Sequence, residues 1–124
     1  MPEKLGSYRE LVAWQKALDL VDHIYTYTAN FPADERYGLA QQLRRAVVSI
    51  PSNIAEGSVR GTREFVHFIA IARGSLAEVE TQLEIALRRA YISAEVSNAL
   101  QQETNRLSRI LMGLYQSLKK SQPH

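Results

Sequence analysis

Glu64 and His67 stand three residues apart in the stretch REFVHFIA. On a helix that spacing puts a carboxylate and an imidazole on one face, the half-set that a dimetal carboxylate centre takes from each of two helices. Such a centre also needs a second Glu-x-x-His pair and a Glu from each remaining helix, and the other histidines, His23 and His124, have no glutamate three positions before them. In an antiparallel bundle the level of Glu64 on the last helix falls near Lys119 and Lys120, whose charges repel a metal ion, and His23 falls at the opposite end. Serine, histidine and aspartate occur without a G-x-S-x-G elbow, and no glycine-rich phosphate loop follows a strand. With no cysteine, thiolate chemistry is also absent. The expectation is a protein that is not an enzyme, with no catalytic residue, metal, cofactor or small-molecule substrate.

The stretch SIPSNIAEG, residues 49–57, poses a different question. It lies inside an amphipathic pattern whose apolar residues Ile50 and Ile54 belong on a core face. Pro51 donates no backbone hydrogen bond and crowds the carbonyl of Val47, at a cost of about 3 kcal/mol in an ordinary helix interior. Ser49, Ser52 and Asn53 flank it with side chains suited to bonding freed carbonyls or fixing a kink. The set therefore reads as structural.

Charge narrows the partners. The 15 basic residues, eleven of them arginine, face 13 acidic ones, for a net charge of +2. Arginine favours bidentate contacts to carboxylates and phosphates, yet scattered helical arginines mostly pair with nearby glutamates in water. The longest uncharged apolar stretch, residues 46–55, is about half of a bilayer span and carries polar groups, so no membrane helix is expected. The sequence MPEKLGSYRE lacks the basic and apolar regions of a secretory signal, and a cytoplasmic location is expected.

Four helices account for the chain, at about 8–29, 34–57, 62–91 and 94–119, in one domain spanning 1–124. Ser7 and Glu10 have capping-box spacing at the start of the first. Its seam reads Leu11, Trp14, Leu18, Val21, Tyr25 and Thr28. Pro32 ends it. The second carries Leu39, Leu43, Ala46, Val47, Ile50 and Ile54 on one face, and Gly57 and Gly61 close it. The third starts with Thr62 as N-cap and runs through Phe65, Phe68, Ile69, Ala72, Leu76, Val79, Leu83, Ala86, Leu87 and Ala90. Ser93 caps the fourth, whose seam is Val96, Leu100, Leu107, Leu111, Leu114 and Leu118; the tail KKSQPH is expected to fray. Short connections between four singly striped helices predict an all-α, antiparallel up-down-up-down four-helix bundle.

Folding the second and third helices about a turn at 57–62 places Arg45 near Gly74 and Gln42 near Ala77 and Glu78. A polar layer is expected in which Gln42, Arg44, Arg45, Ser49, Pro51, Asn53 and Glu56 meet Gly74, Ser75, Glu78 and Gln82. In it Arg44 or Arg45 pairs with Glu78, and Gly74 admits the close approach of the second helix.

The strings LVAWQKALDLV, FPADERYGLAQQLRRAVVSIPSNIAEG and EFVHFIAIARGSLAEVETQLEIA resemble the four helix bundle proteins, also called 23S rRNA-intervening-sequence proteins, over about residues 8–118. The matching positions are Trp14, Pro32, Glu35, Gly38, Leu39, Gln42, Arg44, Arg45, Ser49, Pro51, Asn53, Glu56, Gly57, Gly74, Ser75 and Glu78. The resemblance implies a tetrahelical protomer of a homopentameric ring. It also implies kinship with the accessory variability proteins of diversity-generating retroelements, basic barrels that bind nucleic acid and a reverse transcriptase. The near-balanced charge of this chain departs from those proteins.

Two functional readings follow. The first is a non-catalytic, ring-forming scaffold or interaction protein whose partner is itself, a reading also favoured by Tyr27, Tyr37, Ile71 and Tyr91, which lie beyond the core seams. The second is an accessory protein that binds RNA or DNA through phosphate contacts from Arg60, Arg63, Arg88, Arg89, Arg106, Arg109, Lys119 and Lys120.

Overall fold

The computed structural model describes residues 7–121. Four helices carry the fold: α1 at Val12–Thr28, α2 at Leu39–Ser58, α3 at Thr62–Arg88 and α4 at Ala94–Ser121. The described residues contain no strand. Helix α1 packs against α2 and α4, and α3 packs against the same two, so each helix has two neighbours around a shared core. Leu20, Ile24, Leu43, Val47, Ile50, Ile54, Ile69, Val79, Leu107 and Leu111 fill that core and are fully buried. Each leucine or isoleucine taken from water in this way stabilises the fold by about 1.5–3 kcal/mol.

The first helix is shorter than expected and turns a different face inward. Tyr8–Glu10 form a separate 3-10 turn, Leu11 is extended, and the Ser7 hydroxyl accepts from the Arg9 amide rather than capping α1. The Tyr8 ring packs edge-on against Trp14, centroids 5.3 Å apart, which holds the turn off the helix axis. Within α1 the buried residues are Ala13, Ala17, Leu20, Ile24 and Thr28. Of the expected seam only Thr28 is buried; Leu18 and Tyr25 are exposed, and Leu11, Trp14 and Val21 are half-buried at the margin. The true core stripe lies one residue, about 100° of helix rotation, away from the expected one. Its alanines let neighbouring backbones come close.

Helix α2 starts at Leu39, later than expected, because Ala33–Glu35 form a second 3-10 turn and Gly38, the N-cap, leaves the helical region with φ −110° and ψ −114°. From there α2 runs unbroken through Pro51, which is buried. Ser52 donates to the Val48 carbonyl at 2.9 Å and Asn53 to the Ser49 carbonyl at 2.8 Å, so two side chains bond carbonyls in the turn before the proline. Gly57 does not close α2; it is a buried helical residue, and Val59 is the C-cap. The N-cap of α3 is Gly61, and Thr62 is already helical.

Helix α3 ends at Arg88 through a Schellman closure: Ala90 donates to the Leu87 carbonyl at 2.9 Å and Tyr91 to the Ala86 carbonyl at 2.8 Å. That geometry puts Ala90 at φ 62°, a left-handed conformation usually left to glycine, and removes it from the core seam. Ser93 caps α4 as expected, its hydroxyl accepting from the Val96 amide at 3.1 Å. Lys119–Ser121 continue α4 rather than fraying, and Gln122, Pro123 and His124 lie outside the described residues.

Candidate functional site

The polar contact between α2 and α3 is smaller than the sequence suggested. Ser49 and Ser75 share a hydrogen bond between their hydroxyls, and the Asn53 amide reaches the Ser49 hydroxyl at 3.2 Å. Ser75 is buried, and the three side chains satisfy one another. Gln42, Arg45 and Glu78, expected in this layer, are exposed, and no ion pair joins Arg44 or Arg45 to Glu78 among the described residues. Glu56 is exposed and paired within its own helix, with Arg60 at 2.7 Å. Gln82 is half-buried, with its Oε1 buried and without a partner among the described residues. Gly74 admits no neighbour: a Cβ added there meets nothing within 4 Å. Gly74 is exposed, on a side of α3 that α2 does not cover although Ser49 meets the adjacent Ser75; the close approach of α2 and α3 is at Gly57, against Phe65 and Phe68.

Arg44 serves α1 instead. Its Nε donates to Thr28 Oγ1 at 2.8 Å, its Nη2 to the Tyr25 carbonyl at 3.3 Å, and its guanidinium lies 4.5 Å from the Tyr25 ring centroid. The Thr28 hydroxyl in turn donates to the Ile24 carbonyl at 2.7 Å. A cation thus closes the last turn of α1, where the helix dipole favours it. Arg44 and Arg36 also line one cleft with Thr28, Phe31, Pro32 and Ala40.

At the same end of the molecule Glu35 joins three segments. Its Oε1 accepts from the Leu39 amide at 2.9 Å, capping α2, and its Oε2 accepts from the Tyr91 hydroxyl at 2.9 Å. Tyr91 also packs on Phe31, centroids 5.3 Å apart. Gly38 makes room for the carboxylate, because a Cβ there would stand 2.6 Å from Glu35 Oε1. The amide of Leu39, then the Tyr91 hydroxyl, hold the carboxyl below its ordinary 4.5; partial desolvation opposes them, and Arg89 adds a smaller favourable contribution. A carboxyl whose folded pKa is lowered stabilises the fold above its unfolded pKa, and that contribution disappears as pH falls through the folded pKa. Glu35→Gln is therefore expected to melt below wild type at pH 7, with the gap narrowing once pH drops beneath 4.5. Melting curves from pH 7 to pH 3 test this, and a gap independent of pH contradicts it. The role of Glu35 was legible only as a position shared with the resembling family; its cap and its Tyr91 contact join parts of the chain that no local pattern connects.

The eight basic residues proposed for phosphate contact are spread over the molecule. Arg60 pairs with Glu56 and lies over the Phe68 ring at 5.1 Å, while Arg88 pairs with Glu84 at 3.0 Å. Arg89 sits near Glu35 beyond the far end of α3. Arg106 lines a cleft between α1 and α4 with Lys16, Asp19, His23 and Glu103, where His23 Nδ1 is 2.8 Å from a Glu103 oxygen. Lys119 lies 5.9 Å from the Tyr115 ring, which Arg73 also approaches at 5.1 Å. Arg63 is exposed on α3, and Arg109 and Lys120 are exposed on α4. Glu64 and His67 gain no third ligand: among the described residues no group of three or more His, Cys, Asp or Glu is placed to hold a metal ion. His67 packs edge-on to Phe68. No helix among the described residues is long and apolar enough to cross a membrane.

No curated protein matches the chain. A crystal structure of a protein with unknown function from the S23 ribosomal protein family of Bacteroides thetaiotaomicron VPI-5482 superposes with a TM-score of 0.77, at 22% identity, over 85% of this chain and 96% of that one. At that identity the likeness is one of fold. The sequence profile of the 23S rRNA-intervening sequence protein family matches residues 9–113, and the chain belongs to that family.

Proposed function

We propose that the chain is a non-catalytic scaffold that assembles with copies of itself into a ring, five copies in the arrangement that the family resemblance suggests. The observation that carries this reading is the second apolar stripe of α1. Leu11, Trp14, Leu18, Val21 and Tyr25 keep heptad spacing, yet the core takes the neighbouring stripe. Leu18 and Tyr25 are 37% and 43% exposed, and across the groove on α2 Val48 is 39% exposed. The groove between them is lined mostly by apolar side chains, Trp14, Leu18, Val21, Val48, Pro51 and Ala55, with Tyr8 and Ser52 completing it. A regular stripe of large side chains outside the core, continuous across two helices, is the form that a helix-to-helix interface takes. The buried Pro51 is at the floor of that groove, which gives SIPSNIAEG a second role besides filling the core.

The protomer is read as an antiparallel up-down-up-down bundle. Contacts in opposite sequence order support this: Gly57 lies by Phe65 and Phe68 while Ser49 meets Ser75, and His23 meets Glu103. The satisfied Ser49, Asn53 and Ser75 set favours a non-catalytic interior. The dispersal of the eight basic side chains, with Arg60 and Arg88 paired to glutamates of their own helices, weighs against nucleic-acid binding through them. Tyr27 and Tyr91 are packed against the core, which leaves Tyr37 and Ile71 as the exposed members of the set that first suggested assembly. The test is Leu18→Glu combined with Val48→Glu. Two buried, unpaired carboxylates per subunit are expected to disperse the assembly while the helical circular-dichroism signal remains. An assembly mass unchanged in the double variant would remove this face from the account.

A further inference from the structure

The cleft at the junction of α1 and α2 points to a ligand. It has a volume of about 390 Å³ and is lined by Thr28, Phe31, Pro32, Arg36, Ala40 and Arg44, with Ala29 and Ala33 completing it. Two arginines, the exposed Arg36 and the half-buried Arg44, line it and no acidic residue does. Arg44 is half-buried and fixed in place by Thr28 and the Tyr25 carbonyl. Those contacts use two of its five N–H donors, and the other three have no acceptor among the described residues. The Arg36 side chain has neither a hydrogen bond nor an ion pair among the described residues; only its backbone amide is bonded, to the Ala33 carbonyl. The nearest acidic groups are committed elsewhere or turned away: Glu35 holds the Leu39 amide and the Tyr91 hydroxyl, and Asp34 is exposed and outside the lining.

A half-buried, pre-oriented guanidinium with free donors and a second guanidinium beside it is a device for a multiply charged oxyanion. Closing the last turn of α1 accounts for two of the Arg44 donors and for its stacking on Tyr25. It does not account for the remaining donors, for Arg36, or for the lack of any counter-charge in a cleft large enough for a small ligand, about 300 Å³ or more. We propose that the cleft formed by Arg36 and Arg44 binds a phosphate group, supplied either by a small phosphate compound or by the backbone of a single-stranded nucleic acid. Neither guanidinium belongs to the apolar α1 stripe, so the site stands whether or not the ring forms.

The test is an amide NMR titration of the full chain with inorganic phosphate and, separately, with a single-stranded oligodeoxynucleotide. Arg36→Gln is the main variant, since its side chain supports nothing else in the fold; Arg44→Lys keeps the charge and removes the fork; Lys16→Gln, on the exposed face of α1 and outside the cleft, is the control. Inorganic phosphate is expected to shift amides confined to residues 28–44, with affinity falling about tenfold in Arg36→Gln and unchanged in Lys16→Gln. If the oligonucleotide shifts the same amides and its binding weakens steeply with salt, by a slope of about 0.7 per phosphate contact, the source is nucleic acid. If the oligonucleotide leaves those amides unmoved while phosphate saturates them, the source is a small phosphate compound. Shifts spread over the whole surface, or equal affinities for wild type and Arg36→Gln with both probes, would overturn the proposal.

Discussion

Leu20→Ala is expected to destabilise the protomer by about 2–5 kcal/mol, and Leu18→Ala by less than about 1 kcal/mol. The two leucines are neighbours in the chain and equal in size. Leu20 is fully buried among the core residues, so its truncation removes buried methyl groups and leaves a cavity. Leu18 is 37% exposed in the protomer and loses only marginal contacts. The measurement is the urea midpoint of each variant at nanomolar concentration, below the micromolar range over which the proposed assembly is expected to persist. Equal midpoints would mean that α1 turns its larger stripe inward.

Two glycine-to-alanine substitutions are expected to act with opposite signs. A Cβ at Gly57 would stand 2.6 Å from Phe68 Cβ, 2.9 Å from Phe65 Cδ1 and 3.3 Å from Phe65 Cα. The Phe65 ring can rotate away, but Phe68 Cβ and Phe65 Cα are fixed to the backbone of α3, so α2 and α3 must separate. Gly57→Ala therefore costs about 1–3 kcal/mol, less the gain of about 1 kcal/mol that alanine brings to any helix. At Gly74 the added methyl meets nothing within 4 Å, so Gly74→Ala keeps the whole gain of about 1 kcal/mol. Chemical denaturation of both variants beside wild type is the check. A stabilised Gly57→Ala would show that the α2–α3 crossing is looser than described.

These glycines also show what the sequence carries and what it does not. Helix periodicity located α2, α3 and α4 within a few residues, because large apolar side chains recur there on one face only. It failed on α1, where two adjacent stripes compete and the one with Trp14, Leu18 and Tyr25 outweighs the one with two alanines. Side-chain size alone does not say which stripe is inside; the closeness of the neighbouring backbones decides, and Ala13 and Ala17 permit it. A close approach was assigned to Gly74 when Gly57 makes it, because spacing along the hairpin gives the level of a residue on α3 but not the side it faces, and Gly74 faces out beside the buried Ser75. The Ser49, Asn53 and Ser75 contacts were legible from SIPSNIAEG once the second and third helices are folded against each other, which brings ARGSLAE to it. The ion pair expected for Glu78 was not found, since exposed charges on adjacent helices need not meet. The Arg36 and Arg44 cleft had no sequence signal: it requires Thr28 and the turn after α1 to meet the first turns of α2, a contact made by tertiary packing.

The central claim is self-assembly through the outer stripe of α1, and the mass of the particle in solution tests it most directly. Light scattering across micromolar concentrations is expected to give a stable multiple of the 14.0 kDa chain mass, five-fold for the proposed ring. A stable mass near 14.0 kDa across that range would contradict the claim and leave the stripe without an occupant.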